Sequence, residues 1–196
     1  MDAGLLELTD TKSNKFSWLG KTLIYATGGL AIGVSVICIP FVSPALRKFC
    51  LPYVPATTEQ LAGVTKALTG RSGRLLDVGS GDGRIVFTAA KLGFKADGVE
   101  LNSVLVFYSR LAALLNPFCR GTKFVRRDLW KFNMKSYNNI VIFGVEQMMN
   151  DFEQKLLREV ENDTVIVACR FPLPNMVPVE TIGHGVDTVW KYIIRR

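Results

Sequence analysis

Leu75-Leu76-Asp77-Val78-Gly79-Ser80-Gly81-Asp82-Gly83-Arg84 is an apolar run that meets an acid and then glycines at alternate positions. It reads as a β-strand entering a sharp turn, with Ile85, Val86, Ala89 and Ala90 opening a helix behind it. Glycines at 79, 81 and 83 admit positive φ and the close approach of a ligand, because they carry no Cβ. A tight strand-to-helix turn with no ligand is the alternative.

The spacing departs from the dinucleotide fingerprint G-x-G-x-x-G, whose third small residue allows close helix–strand packing beside a pyrophosphate. Here the third glycine comes one residue early, and Arg84 fills the position that should be small. Asp77 sets a carboxylate where a pyrophosphate would be repelled but a sulfonium and an amino group would be held. The loop therefore reads as a site for S-adenosylmethionine (AdoMet). Phe94 to Glu100 reads as a second strand, and its last residue stands about 20 residues beyond the glycines, where an acid accepts ribose hydroxyls. Phe124 to Asp128 reads as a third strand ending in a carboxylate suited to the adenine amino group. Asp77, Gly79, Gly81, Gly83, Glu100 and Asp128 are thus the expected cofactor residues. Taken singly, Glu100 and Asp128 also read as solvated loop acids.

With 196 residues the chain holds one domain and an extension. Its positive mean hydropathy comes from residues 23–42, which carry no charge and are long enough to cross a hydrocarbon core of about 30 Å as a helix. A membrane anchor is the reading preferred here over a buried core helix. A cleaved secretory signal fits poorly, since the apolar run exceeds the usual length of about 7 to 15 residues. Lys21 precedes the run and Arg47 and Lys48 follow it, so the basic flanks weakly favour leaving the catalytic part on the side where it was made or imported. The net charge of +7 is scattered, as expected near an anionic leaflet. No long basic run or zinc-finger spacing points to nucleic acid. Four separated cysteines and one histidine, His184, argue against a metal site and a disulfide scaffold.

The expected organisation is a polar tail (1–22), a hydrophobic anchor segment (23–46), a connector with a helix (47–72) and an α/β domain (73–196). Thr57 and Gln60 form a capping-box pattern at a helix with Leu61, Val64 and Leu68 on one face. From residue 74 strands and helices alternate, the pattern of a parallel sheet wrapped by helices. Ser103 to Leu115 repeats apolar residues at Val104, Tyr108, Leu111, Ala112 and Leu115 with helical spacing. A later helix is expected to turn Phe152, Leu156, Leu157 and Val160 inward and Asp151, Glu153, Lys155 and Arg158 outward. Two final strands, 177–182 and 188–193, read as an antiparallel hairpin, a closing element typical of the AdoMet-dependent methyltransferase sheet.

Several stretches together resemble the family of mitochondrial seven-strand protein-lysine methyltransferases. They are Tyr53-Val54-Pro55-Ala56-Thr57, the loop at 77–86, Asp128-Leu129-Trp130-Lys131, Val141-Ile142-Phe143-Gly144-Val145, Arg170-Phe171-Pro172-Leu173-Pro174 and Asp187-Thr188-Val189-Trp190. The resemblance implies a Rossmann-like seven-strand sheet, AdoMet as cofactor, and a membrane-embedded protein as substrate at the mitochondrial inner membrane. Of its two animal branches, the one acting on the c subunit of ATP synthase looks nearer than the one acting on the adenine nucleotide translocase, and trimethylation of a lysine follows from it. Glu146 stands where the family leads one to expect proline. Neutralising and holding a lysine calls for desolvation and aromatic faces. Tyr53, Phe143, Phe171 and Trp190 are candidates for that pocket, and Glu146 for a proton acceptor. Competing functions are methylation of a lipid or small hydrophobic molecule, and an inactive membrane adaptor that keeps only the fold.

Overall fold

The computed structural model describes residues 17–42 and 53–196, in two compact units, Met1–Cys38 and Ile39–Arg196. Much of the expected polar tail, the end of the anchor segment (43–46) and the start of the connector (47–52) lie outside the described residues.

Helix α1 runs over Trp18–Val42, beginning five residues before the uncharged run at 23. Its stretch Trp18–Ile39 is long and apolar enough to cross a membrane, and none of that stretch is buried against protein. The hydroxyls of Thr22 and Thr27 donate to the carbonyls of Trp18 and Leu23 at 3.0 and 2.8 Å, so these two hydroxyls are satisfied within the helix. That matters where no water is present to do so.

In the second unit α2 (Thr58–Ala67) starts at Thr57, whose side chain and that of Gln60 make the reciprocal capping box that the spacing predicts. The α/β part follows as β1 (Arg74–Val78), α3 (Arg84–Lys91), β2 (Lys95–Glu100), α4 (Ser103–Leu114), β3 (Lys123–Arg126), β4 (Asn139–Phe143), α5 (Glu146–Glu159), β5 (Val165–Cys169), β6 (Glu180–Ile182) and β7 (Val189–Ile193). The strands form one seven-stranded sheet in the order β3-β2-β1-β4-β5-β7-β6. β3 to β5 pair in parallel; β7 runs antiparallel to both β5 and β6, closing the sheet as expected.

Successive strand residues face opposite sides, and each side has its own core. One gathers Leu75, Val86, Val106, Phe124, Val141 and Val189 with α2 and α3. The other gathers Leu76, Ile142, Phe152, Leu156, Ile166 and Tyr192 beneath α5. The chain reverses its winding between β1 and β4, so a crevice opens there at the carboxyl ends of the strands, the usual ligand position in such sheets.

The faces of α5 differ from the periodicity reading, and α4 buries only part of its apolar repeat. On α5, Glu153 and Lys155 are buried while Leu157 is exposed. The Glu153 carboxylate accepts from the Asn175 N–H at 2.9 Å, and the Lys155 ammonium pairs with Glu159, so specific partners offset the cost of burying charge. On α4 the buried residues are Leu105, Val106 and Ser109, while Tyr108, Leu111 and Leu115 are exposed.

Candidate cofactor site

Gly79, Gly81 and Gly83 have φ of 75°, 52° and 85°, the left-handed region that only residues without Cβ enter cheaply. A second constraint is packing: a Cβ on Gly81 would lie 2.8 Å from the Tyr53 ring, and one on Gly83 2.8 Å from Phe124. The N–H groups of Gly79 and Ser80 donate to the Val99 carbonyl at 2.9 and 3.1 Å, tying the loop to the end of β2.

Glu100, at the end of β2, completes that tie. Its Oε2 accepts from the Gly81 N–H at 3.1 Å, and its Oε1 accepts from the N–H of Leu101 and of Asn102, both at 2.7 Å. An ionised carboxylate offers about four lone-pair sites. Glu100 therefore shapes the loop through its backbone bonds and keeps acceptor capacity on Oε2 for a ligand hydroxyl. Asp128 follows β3, half-buried, and its Oδ1 accepts from the Trp130 N–H at 3.0 Å, capping the short turn Leu129–Lys131.

Asp77 is 1% exposed, one residue before the end of β1, and its Oδ1 has no hydrogen-bond partner. The Ser80 hydroxyl is likewise buried and unpaired. Burial pushes the Asp77 carboxyl well above its usual range, and the charges of Glu100 and Asp82 push it further. Leaving a buried acceptor unpaired costs about 1–3 kcal/mol, so two such atoms beside a glycine loop mark a place built for a ligand. Among the acids there, Asp82 is already neutralised. Arg84 grips both its oxygens, and although burial raises the Asp82 carboxyl, the Arg84 bonds and charge outweigh this and hold it below its usual value. Asp77 has no such partner. The site fits a ligand with positive charge and hydroxyls, which AdoMet is, and disfavours a pyrophosphate.

Arg84, the residue that breaks the dinucleotide pattern, has a structural task that its spacing alone does not disclose. Besides Asp82 it donates to the Ala56 carbonyl, while the Tyr53 ring packs against Gly81. One guanidinium thus fastens the segment 53–56 across the glycine loop. Gly98 was also missed as a site residue: a Cβ there would meet the Ser80 Oγ at 2.6 Å. Its signal was an isolated glycine inside the strand 94–100, which commonly marks a close backbone approach.

The structure does not bring the four aromatic candidates together. Tyr53 lies against the glycine loop, and Phe143, at the end of β4, packs into the core on the α3 side. Phe171 and Trp190 pack into the other core, beneath α5. Arg170, between β5 and Phe171, has φ of 72°, a left-handed conformation that redirects the chain there. Glu146 is exposed in the first turn of α5, where a carboxylate also interacts favourably with the helix dipole. His184 is an exposed residue preceding the short turn Gly185–Asp187.

Residues 77–180 match the ANTKMT methyltransferase domain family, and residues 15–47 match the N-terminal domain of the ATP synthase c-subunit lysine N-methyltransferases. The chain is 52% identical over 178 residues to the human ATP synthase c-subunit lysine N-methyltransferase, covering 91% of this chain and 76% of that protein. It is 35% identical over 190 residues to mouse adenine nucleotide translocase lysine N-methyltransferase, covering 94% and 82%. An RNA methyltransferase from Salinibacter ruber, solved with S-adenosyl-L-homocysteine, shares the fold at a TM-score of 0.65 and 23% identity, over 72% of this chain and 94% of that one. The seven-strand sheet, the glycine loop with its unpaired acid and these likenesses lead to one conclusion: the chain is an AdoMet-dependent enzyme and belongs to the family of protein-lysine N-methyltransferases that includes the ATP synthase c-subunit and adenine nucleotide translocase enzymes.

Proposed function

We propose that this enzyme trimethylates a lysine of the ATP synthase c subunit at the mitochondrial inner membrane. The supporting observation is the gap between branches: 52% identity to the human c-subunit enzyme against 35% to the mouse translocase enzyme, over nearly equal shares of this chain. α1, read as a membrane anchor, supports it further. Tethering raises the effective concentration of a lysine at the bilayer surface without adding contacts.

Bound AdoMet supplies a methyl group on sulfur, open to in-line displacement by an amine. The chain's residues hold and orient the partners. With the cofactor bound, Asp77 would accept from its amino group and Ser80 would hydrogen-bond the amino-acid end, the remaining acceptor capacity of Glu100 would take a ribose hydroxyl, and Asp128 would accept from the adenine amino group. Alignment of the two reactants is worth about 7–11 kcal/mol in favourable cases. The lysine has an ordinary pKa of about 10.4 and reacts only when neutral. Desolvation favours that form, and Tyr53, packed against Gly81 of the loop, is the aromatic we place beside the amine. Glu146 receives the proton or passes it to water. Phe171 and Trp190 act in holding the ends of β5 and β7.

Incubating the purified protein with methyl-labelled AdoMet and detergent-opened mitochondria lacking the endogenous activity tests this reading. Label on a lysine of a very small hydrophobic protein is the expected result. Label on a larger carrier transfers the assignment to the translocase branch, and label confined to lipid contradicts a protein substrate.

A further inference from the structure

The α4 face that periodicity made conspicuous is turned away from the protein. Phe107, Tyr108, Leu111 and Leu114 are 69%, 56%, 50% and 83% exposed, and Leu115 and Phe118 beyond the helix are 82% and 60% exposed. Positions 107, 108, 111, 114 and 115 share one side of a helix, so these side chains form a continuous apolar stripe about 12 Å long. Apolar surface gathered in this way marks a site of interaction.

Charge decides the kind of partner. From Leu101 through Arg127 there is no acidic residue, while Arg110, Arg120, Lys123, Arg126 and Arg127 fall in that stretch and are exposed. Arg110 is held rigidly, its guanidinium donating twice to the Phe124 carbonyl at 2.9 and 2.8 Å. Beside the stripe a groove of about 590 Å³ is lined by Arg110, Leu114, Leu115, Asn116, Arg120 and Thr122, combining apolar walls with guanidinium groups. A helix with an apolar face and a basic rim lies in the headgroup layer of an anionic bilayer.

We propose that the face formed by α4 and Phe118 docks the catalytic unit onto an anionic lipid bilayer, with the apolar stripe in the acyl boundary and Arg110, Arg120 and Lys123 on lipid phosphates. This rests on the reading that the enzyme works at a membrane, and it assigns a second contact separate from α1. Lateral contact of this kind holds the catalytic unit at the height of a lysine on a membrane protein.

To test it, an environment-sensitive fluorescent amino acid replaces Leu114, Ile32 or Gln154 in turn in the full chain. Each protein is reconstituted in phosphatidylcholine vesicles with and without phosphatidylglycerol, and quenching by brominated acyl chains is read. Position 114 is expected to be quenched several-fold more than position 154 on α5, with the difference growing when phosphatidylglycerol is present. In Arg120→Glu/Lys123→Glu, two exposed positions, that growth should disappear. Quenching at 32 with none at 114 overturns the docking face and leaves the anchor standing. Quenching at 114 with none at 32 supports the face and removes the anchor, and none at either site removes both. Shielding of 114 that appears only on adding an inner-membrane protein assigns the face to a protein partner and overturns the proposal.

Discussion

At Asp77 the demands of folding and of binding oppose each other. A 1% exposed carboxylate with an unpaired oxygen weakens the ligand-free protein, yet the same charge attracts a cationic cofactor. Asp77→Asn should therefore leave the ligand-free protein at least as stable as the parent while losing the response to AdoMet. A ligand at a hundred times its Kd contributes about 2.7 kcal/mol, equivalent to a rise of about 5–10 °C in melting temperature for a domain of this size. Thermal melts with and without AdoMet check both halves. The pH dependence has a fixed sign: the Asp77 pKa is raised in the folded state above 3.8, so the folded protein binds the extra proton. Stability of the ligand-free enzyme falls as pH rises from the ordinary carboxyl value through the raised one, and the AdoMet-induced gain increases across the same window. In Asp77→Asn both slopes should flatten. Gly98→Ala tests the neighbouring constraint. A Cβ placed 2.6 Å from the Ser80 Oγ and 2.9 Å from Phe124 overpacks the loop, costing about 1–3 kcal/mol, to be read from urea unfolding.

Between residue and fold stands the fastening of segment 53–56 over the glycine loop. Arg84 makes it through Asp82 and the Ala56 carbonyl. Arg84→Ala should raise amide exchange at residues 53–57 and lower stability by roughly 1 kcal/mol, a small figure because the guanidinium is partly exposed. If exchange there is unchanged, the fastening is not what holds the segment. Elements fixed by local chemistry were legible beforehand: the capping box at Thr57, the alternating glycines and the closing hairpin depend on neighbours in sequence. The face assignments on α5 were not, because Glu153 and Lys155 are buried by partners at Asn175 and Trp130, each more than a turn of helix away in the chain. Nor did periodicity disclose which side of α4 meets the sheet, since apolar residues occupy both. Arg84 and Gly98 were visible as anomalies, but their partners at Ala56 and Ser80 come together only in the fold.

For the whole molecule, the proposal divides the work between two units: α1 would anchor the protein, with the α4 face as a second contact, and the seven-strand unit binds the cofactor. A protein lacking residues 1–42 should keep its AdoMet-induced stabilisation yet lose much of its sedimentation with membranes. The AdoMet reading requires the first result and the anchor reading the second, so the two stand or fall separately. The central claim, methylation of the ATP synthase c subunit by this site, is tested most directly by the mass of that small protein in cells lacking the endogenous activity. Expression of this chain should restore the mass of three methyl groups to one lysine, while Asp77→Asn, present at equal level in the same membranes, should not. An unmodified c subunit beside a newly methylated carrier, or restoration by Asp77→Asn, would contradict the account.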